Sequence, residues 1–166
     1  MDLLDRLLGH DAWTTRHLLE RCRELTDEQL DRQFDIGHRT VRATLLHIIR
    51  NVEGWAVLMS GKGPREARMD DQDLAAMGVA AMSVRLDAAS ADLATVSRAV
   101  AARSGWDESF FDTFDDPPTK KSFGGGIAHV ITHSMHHRAQ LLYMLRRLGM
   151  ERLPEGDVLS WEQQAR

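Results

Sequence analysis

The sequence lacks the residues that several common classes of site require. It has one cysteine, Cys22, in 166 residues, which excludes an intramolecular disulfide and a thiolate-rich zinc finger. No run approaches the roughly 18 apolar residues of a membrane span. No block of Lys and Arg supplies the positive patch of a nucleic-acid-binding protein, and the net charge is −4. We therefore expect a soluble cytoplasmic protein with no membrane or direct nucleic-acid partner.

Signatures of the better-known metalloenzymes are also missing. The sequence contains no Glu-x-x-His, the motif that di-iron carboxylate bundles place on two helices. It contains no His-Glu-x-x-His, the zinc-binding motif of many metalloproteases. The first residues carry acids at Asp2 and Asp5 without a long apolar core, so no signal peptide is expected. A metal site in this chain would have to be built mainly from histidine.

Histidine is concentrated in one stretch near the carboxyl end of the sequence. His129, His133, His136 and His137 lie within nine positions. On a helix, His129, His133 and His137 form an i, i+4, i+8 row, and His136 and Gln140 fall in the same sector. Neutral imidazole is the commonest metal ligand, and two His at i, i+4 can bind one ion. Spacing leaves three pairs open: His129 with His133, His133 with His137, and His133 with His136.

The remaining ligand is expected from a second helix. His47 lies among apolar residues of segment 41–60, with Asn51 one turn further and Trp55 one turn beyond that. Three neutral imidazoles with an open position suit a divalent first-row ion, Zn²⁺ or Ni²⁺ first, with Fe²⁺ and Mn²⁺ as alternatives. Asn51 and Gln140 are candidates to fix the imidazoles through hydrogen bonds. The other interpretation is a buried polar cluster without metal.

The spacing of apolar residues predicts an all-α fold, a four-helix bundle in one domain over residues 1–166. The four long helices are expected at 2–23, at about 41–60, from Asp70 or Asp71 to about Arg103, and from near Phe123 to Gly149. Thr26 to Gln29 matches a capping box that opens a short helical turn, and Thr40 and Ser122 are expected caps. Residues 35–39 and 61–69 are expected loops, and 104–121 a short extended excursion or hairpin. The tail around Trp161 is expected to dock on the bundle or on a second chain.

Two polar residues interrupt the apolar stripe of the first helix. Asp11 and Thr15 lie in the middle of that stripe. Either the stripe drifts there and both residues contact water, or both face a polar pocket inside the fold. The sequence leaves these two interpretations equally open.

With these residues in hand, the chain resembles the DinB family, the DinB/YfiT-like metalloenzymes. The resemblance rests on three motifs: Asp11-Ala-Trp13, Thr40-x4-Leu45-Leu-His47-x7-Trp55, and His129-x3-His133-x2-His136-His137-Arg-Ala-Gln140. It implies an up-down-down-up four-helix bundle that is often a homodimer. It also implies that His47, His133 and His137 are the metal ligands.

The resemblance implies a function as well, because characterised relatives include thiol-dependent S-transferases and isomerases. The expected partners are a low-molecular-weight thiol, such as mycothiol, bacillithiol or a glutathione-like thiol, and an electrophilic substrate. Arg42, Arg50 and Arg138 could bind the thiol's carboxylates, although solvation at the surface is the role expected first for each of them. His129 or His136 could act as a base. The alternatives are a non-catalytic metal-binding stress-response protein and a metal-dependent hydrolase.

Overall fold

The computed structural model describes residues 1–61, 77–154 and 156–164. These residues form six helices and one antiparallel hairpin. The elements are α1 Leu3–Cys22, α2 Asp27–Leu30, α3 Val41–Ser60, α4 Val79–Ala102, β1 Ser109–Asp112, β2 Thr119–Ser122, α5 Phe123–Arg147 and α6 Val158–Gln164.

Side-chain caps set where three of the helices begin. The Thr26 hydroxyl accepts from the backbone N–H of Gln29, and the Gln29 side chain accepts from the backbone N–H of Thr26, which completes the predicted capping box of α2. Thr40 caps α3 and Ser122 caps α5 through the same kind of side-chain bond. The predicted caps at Thr26, Thr40 and Ser122 are therefore confirmed.

The third long helix differs from its prediction. The expected caps Asp70 and Asp71 lie outside the described residues. In the part that the structure does describe, α4 begins at Val79, after Gly78 in an extended conformation. The backbone carbonyl of Met77 accepts a hydrogen bond from Arg42 Nη1 at 2.8 Å. The prediction of one uninterrupted helix from Asp70 or Asp71 to about Arg103 is therefore wrong. The chain is extended at Gly78, and the Met77 carbonyl accepts a hydrogen bond from Arg42 of α3.

Four long helices pack into the predicted all-α bundle. Both α1 and α3 pack against α4 and against α5. The core between them is apolar and includes residues with no exposed surface from every one of these helices: Leu18, Leu19, Leu45, Ile48, Met82, Leu141 and Leu145. The short α6 packs on α1, and its Trp161 is 6% exposed. The prediction that the tail docks on the bundle is confirmed. None of the described helices is both long and apolar enough to cross a bilayer.

The predicted extended excursion at 104–121 is a two-stranded hairpin. Its strands pair from Ser109 with Ser122 to Asp112 with Thr119. The hairpin contacts α3 and α5 and packs the Phe110 ring against the start of α5. A Cβ placed on Gly126 would lie 3.1 Å from Phe110 Cζ and 3.2 Å from Met59 Sδ. The glycine at the start of α5 therefore lets the hairpin pack closely beside the histidine-rich face.

Candidate metal centre

Helices α3 and α5 bring three imidazoles to one point. The Nε2 atom of His133 lies 2.8 Å from Nε2 of His47 and 3.1 Å from Nε2 of His137. The ring centroids of the three residues are 4.4 to 5.1 Å apart. Two nitrogens bound 2.0–2.1 Å from one ion lie about 2.9–3.4 Å apart, depending on whether the geometry is octahedral or tetrahedral. The observed spacing is close to what a single small ion requires.

The imidazoles of this cluster cannot form all of their close contacts as hydrogen bonds at the same time. A neutral imidazole nitrogen carries either one N–H or one lone pair. Nε2 of His133 has two imidazole nitrogens within hydrogen-bond distance, from His47 and from His137. It can therefore form only one good hydrogen bond to this pair. An ion between the three nitrogens would use all three lone pairs.

Burial keeps these imidazoles neutral. Desolvation, followed by the neighbouring imidazoles, lowers the pKa of His47 and of His133 to about 4. Burial also lowers the pKa of His137, although its hydrogen bond to Gln140 opposes this shift. At neutral pH the lone pairs are therefore available to a metal.

Gln140 fixes the tautomer of His137. Its Oε1 accepts a hydrogen bond from His137 Nδ1 at 2.9 Å, while its Nε2 donates to His136 Nε2 at 2.9 Å. Because Nδ1 of His137 carries the proton, Nε2 keeps its lone pair on the side of His47 and His133. The predicted orienting role of Gln140 is confirmed. Nε2 of His136 accepts the hydrogen bond from Gln140.

Asn51 has a different role from the predicted one. Its Oδ1 accepts a hydrogen bond from Trp55 Nε1 at 3.1 Å. Its Nδ2 is buried and has no hydrogen-bond partner among the described residues. The prediction that Asn51 fixes an imidazole is therefore wrong. Trp55 instead fixes the side-chain amide of Asn51, whose buried Nδ2 lies a turn beyond His47.

An aromatic wall, formed by Trp55, Phe110 and Phe114, continues the site away from the three imidazoles. The Trp55 ring lies 6.1 Å from Phe110 and 6.3 Å from Phe114, nearly perpendicular to both. His129 links this wall to the centre, because its ring lies 4.9 Å from Trp55 and 5.0 Å from His133. His129 is exposed. The wall offers an apolar surface beside the polar nitrogen cluster.

A further histidine, His38, joins the cluster from the loop before α3. One nitrogen each of His38, His47 and His137 all lie within 4.8 Å of one another, so these three residues form a cluster that could hold a metal ion. The His38 ring stacks on His47 with centroids 3.8 Å apart. Residues 35–39 are predicted only as a loop, and no helical spacing connects His38 with the other histidines. The available signal was Gly37, directly before a histidine and ten positions before His47.

Comparison with known families settles the family of the chain. The sequence model of the DinB family matches residues 1–164. The chain belongs to the DinB family. A comparison with the curated proteins gives no match. The resemblance that the motifs suggested is confirmed over nearly the whole length.

The donor set of this DinB protein fits a divalent first-row ion. Among the described residues, the cluster that could hold a metal contains histidines only, with no carboxylate or thiolate. Neutral nitrogen donors suit Zn²⁺, Ni²⁺ and Fe²⁺ better than Mg²⁺ or Ca²⁺, which prefer oxygen. The structure thus supports a metal centre of imidazoles. The preference for Zn²⁺, Ni²⁺ or Fe²⁺ is inferred from the nitrogen donors alone.

Two of the arginines expected to bind a thiol's carboxylates have other roles in this DinB protein. Arg42 is buried and donates to Asp27 at 2.6 Å and to Asp31 at 2.7 Å. Arg138 is buried and donates to the Asp11 carboxylate at 2.5 Å and to Thr15 at 3.1 Å. Both predictions are therefore wrong, because each guanidinium is already paired inside the fold.

The same contacts settle the position of Asp11 and Thr15. Asp11 is 5% exposed and Thr15 fully buried, so both face a polar pocket inside the bundle rather than water. Burial raises the pKa of the Asp11 carboxyl, and the charge of Arg138 opposes that rise.

Proposed function

We propose that this protein binds one divalent first-row ion through His47, His133 and His137 and uses it for a thiol-dependent S-transfer or isomerisation. One observation carries the proposal: three Nε2 atoms of neutral imidazoles meet at 2.8 and 3.1 Å, from two different helices. Zn²⁺ and Ni²⁺ are the ions that this donor set favours, and Fe²⁺ and Mn²⁺ are the alternatives.

The thiol part of the proposal rests on family membership together with the shape of the site. A divalent ion held there would stabilise the thiolate form of a low-molecular-weight thiol, whose proton would pass to solvent. In an S-transfer the sulfur would form a bond to the electrophilic carbon as the leaving group departs, and in an isomerisation the thiolate would add to the substrate and later be released. The chain's own groups do the rest. Gln140 holds His137 in the ligating tautomer. The aromatic wall packs against the apolar part of the substrate.

We assign recognition of the thiol's carboxylates to Arg50. Of the three arginines that the sequence suggested, Arg50 remains at the surface, whereas Arg42 and Arg138 are buried. Arg50 lies three residues after His47 on α3. Its charge contributes to the low pKa of His47, after burial and the neighbouring imidazoles. A guanidinium there suits the carboxylate of a peptide-like thiol.

A second candidate function is a structural metal site in a non-catalytic protein. His47 lies on α3, and His133 and His137 lie on α5. An ion bound to all three would join these helices and stabilise the native state by mass action. The candidate predicts a large rise of the melting temperature on metal binding and no turnover.

The test is a turnover assay of metal-loaded protein with a panel of thiols and electrophiles. The panel contains mycothiol, bacillithiol and glutathione, and the variants are His47→Ala and His17→Ala. His17 lies on α1, where its ring contacts Trp13, so its removal is the matched control. The proposal expects thiol-dependent turnover that His47→Ala abolishes and His17→Ala retains.

Three other outcomes contradict the proposal in different ways. Equal turnover in wild type and His47→Ala would mean that the reaction does not take place at the proposed metal centre. Hydrolysis of activated esters without thiol supports the metal-dependent hydrolase. Metal-dependent thermal stabilisation without turnover across the panel supports the structural site.

A further inference from the structure

The loop that carries His38 has a strained backbone. The His38 loop, residues 35–39, has positive φ angles on both sides of the histidine, +50° at Gly37 and +68° at Arg39. A positive φ costs a residue with a side chain on the order of 1–2 kcal/mol. Three backbone hydrogen bonds hold this conformation: Phe34 N–H to Arg39 O at 2.7 Å, Arg39 N–H to Ile36 O at 2.9 Å, and Thr40 N–H to His38 O at 2.8 Å. Strain that neighbouring bonds maintain is a pointer to function.

The same loop is closed tightly onto α5. A Cβ on Gly37 would lie 2.1 Å from Gln140 Oε1 and 2.7 Å from its Cδ. Only glycine can take this position without displacing the side chain that orients His137. The backbone next to His38 is therefore pressed against the support of the metal centre.

The His38 ring reaches the cluster without being fixed by a hydrogen bond. It stacks on His47 at 3.8 Å and lies 5.0 Å from His137. No hydrogen bond to this ring occurs within residues 1–61, 77–154 and 156–164. By contrast, His137 is held by Gln140, and His47, His133 and His137 all stand on long helices. His38 is thus the one member of the group that a loop presents and that can leave without breaking a bond to the protein.

The distances bring a fourth nitrogen within reach of a shared ion. The candidate ligand atoms of His38, His47 and His137 lie within 4.8 Å of one another. A point equidistant from three such atoms is at most about 2.8 Å from each, whereas a metal–imidazole bond is about 2.0–2.1 Å. A movement of less than ~1 Å by each ring would complete the bond.

We infer that His38 is a fourth, exchangeable nitrogen ligand, which occupies the open position of the ion and leaves when a thiolate or another anion binds. This inference rests on the proposed centre of His47, His133 and His137. It assigns the His38 loop the role of keeping the ion's open position covered until a ligand of sufficient affinity competes for it. The competitor would be a small anionic donor, for which azide is a convenient probe.

The experiment uses the full chain loaded with Co²⁺, whose visible absorption is strong when four-coordinate and weak when five- or six-coordinate. Azide is titrated into wild type, His38→Ala and His38→Phe, with His17→Ala as the control. Phe keeps a ring on His47 but removes both nitrogens, so it separates ligation from stacking. Circular dichroism confirms that each variant is folded.

The inference expects wild type and His17→Ala to bind Co²⁺ with strong absorption and weak azide affinity. Both His38 variants should retain Co²⁺, show a changed visible spectrum as water replaces the imidazole nitrogen, and bind azide at least about tenfold more tightly, as follows when the open form is at most about a tenth of the wild-type population. Unchanged spectra and unchanged azide affinity in both variants overturn the role of His38 but leave the three-histidine centre in place. Failure of wild type to bind Co²⁺ overturns the three-histidine centre and this inference with it.

Discussion

A buried ion pair and a half-buried imidazole cluster lie on different sides of α5, and they combine their charges in opposite ways. Arg138 pairs with Asp11 on α1, so a positive group meets a negative one. His137, its neighbour in the sequence, faces His47 and His133, so three like groups with lone pairs meet. Consecutive residues of a helix are about 100° apart, which lets one segment serve both sites.

The difference shows which site depends on something outside the chain. The ion pair contains both of its opposite charges within the fold, and Thr15 adds a further acceptor. The imidazoles of the cluster are neutral, and their lone pairs can bind a cation. We therefore interpret the Arg138–Asp11 ion pair as a structural contact and the imidazole cluster as a candidate binding site. The predictions below separate these two roles, from the largest expected effect to the smallest.

The largest effect on stability is expected from Asp11→Ala. This change leaves the Arg138 charge buried without its partner, since Arg138 is 3% exposed, and should lower the free energy of unfolding by about 3–5 kcal/mol. Urea unfolding of the metal-free protein measures the loss. Metal stoichiometry of the folded variant should not change.

The double variant Asp11→Leu with Arg138→Met is the control for this prediction. It removes both charges and keeps similar volume, so most of the lost stability should return. A double variant as unstable as Asp11→Ala would contradict the view that an unpaired charge is the cause.

A smaller effect, on the other site, is expected from Gln140→Ala. Loss of the bond to His137 Nδ1 releases the tautomer and ring orientation of a ligand, so metal affinity should fall by about 10–100-fold. Competition with a chelator of known affinity measures the change. His136→Ala removes only the outer bond of Gln140 and should cost less. Equal affinities of Gln140→Ala and wild type would argue against the orienting role.

The smallest effect is a pH dependence of the metal-free protein. The pKa of His47 and of His133 is about 4 in the folded state, because burial disfavours the charged form, against an ordinary value of 6.5. As pH falls, the unfolded chain therefore binds protons first, and stability that is present above pH 6.5 is lost towards pH 4. The contribution is about 1 kcal/mol or less for each imidazole, since both are partly exposed.

His47→Ala isolates this contribution. Urea midpoints at pH 7, 5.5 and 4.5 should decline less steeply in the variant than in wild type, because one group with a lowered pKa is gone. Parallel declines would show that groups other than His47 dominate the loss of stability at low pH.

Local sequence signals predicted much of the fold. The capping box at Thr26, the caps Thr40 and Ser122, and the apolar spacing of the long helices depend on neighbours a few residues away, and the structure confirms them. The predicted start of the third helix was wrong, because Arg42 donates a hydrogen bond to the Met77 carbonyl, 35 residues further along the chain.

Contacts distant in sequence account for what could not be predicted at the candidate site. Arg138 is buried by Asp11, which lies 127 residues earlier, so neither its burial nor its partner shows in local periodicity. His38 reaches His47 through a loop whose path depends on Gly37 and Gln140. The triad of His47, His133 and His137 stays a prediction, as do the thiol and the homodimer, because each involves a partner outside the chain.

The central claim is that the imidazole cluster binds one ion. The most direct test is the metal content, by mass spectrometry, of tag-free protein that has never contacted a nickel column. Wild type is compared with His47→Ala, His137→Ala and His129→Ala. The account predicts about one ion per chain in wild type, lost in the first two variants and kept in His129→Ala. Wild type without stoichiometric metal, even after reloading, would contradict it and make the cluster a polar part of the core.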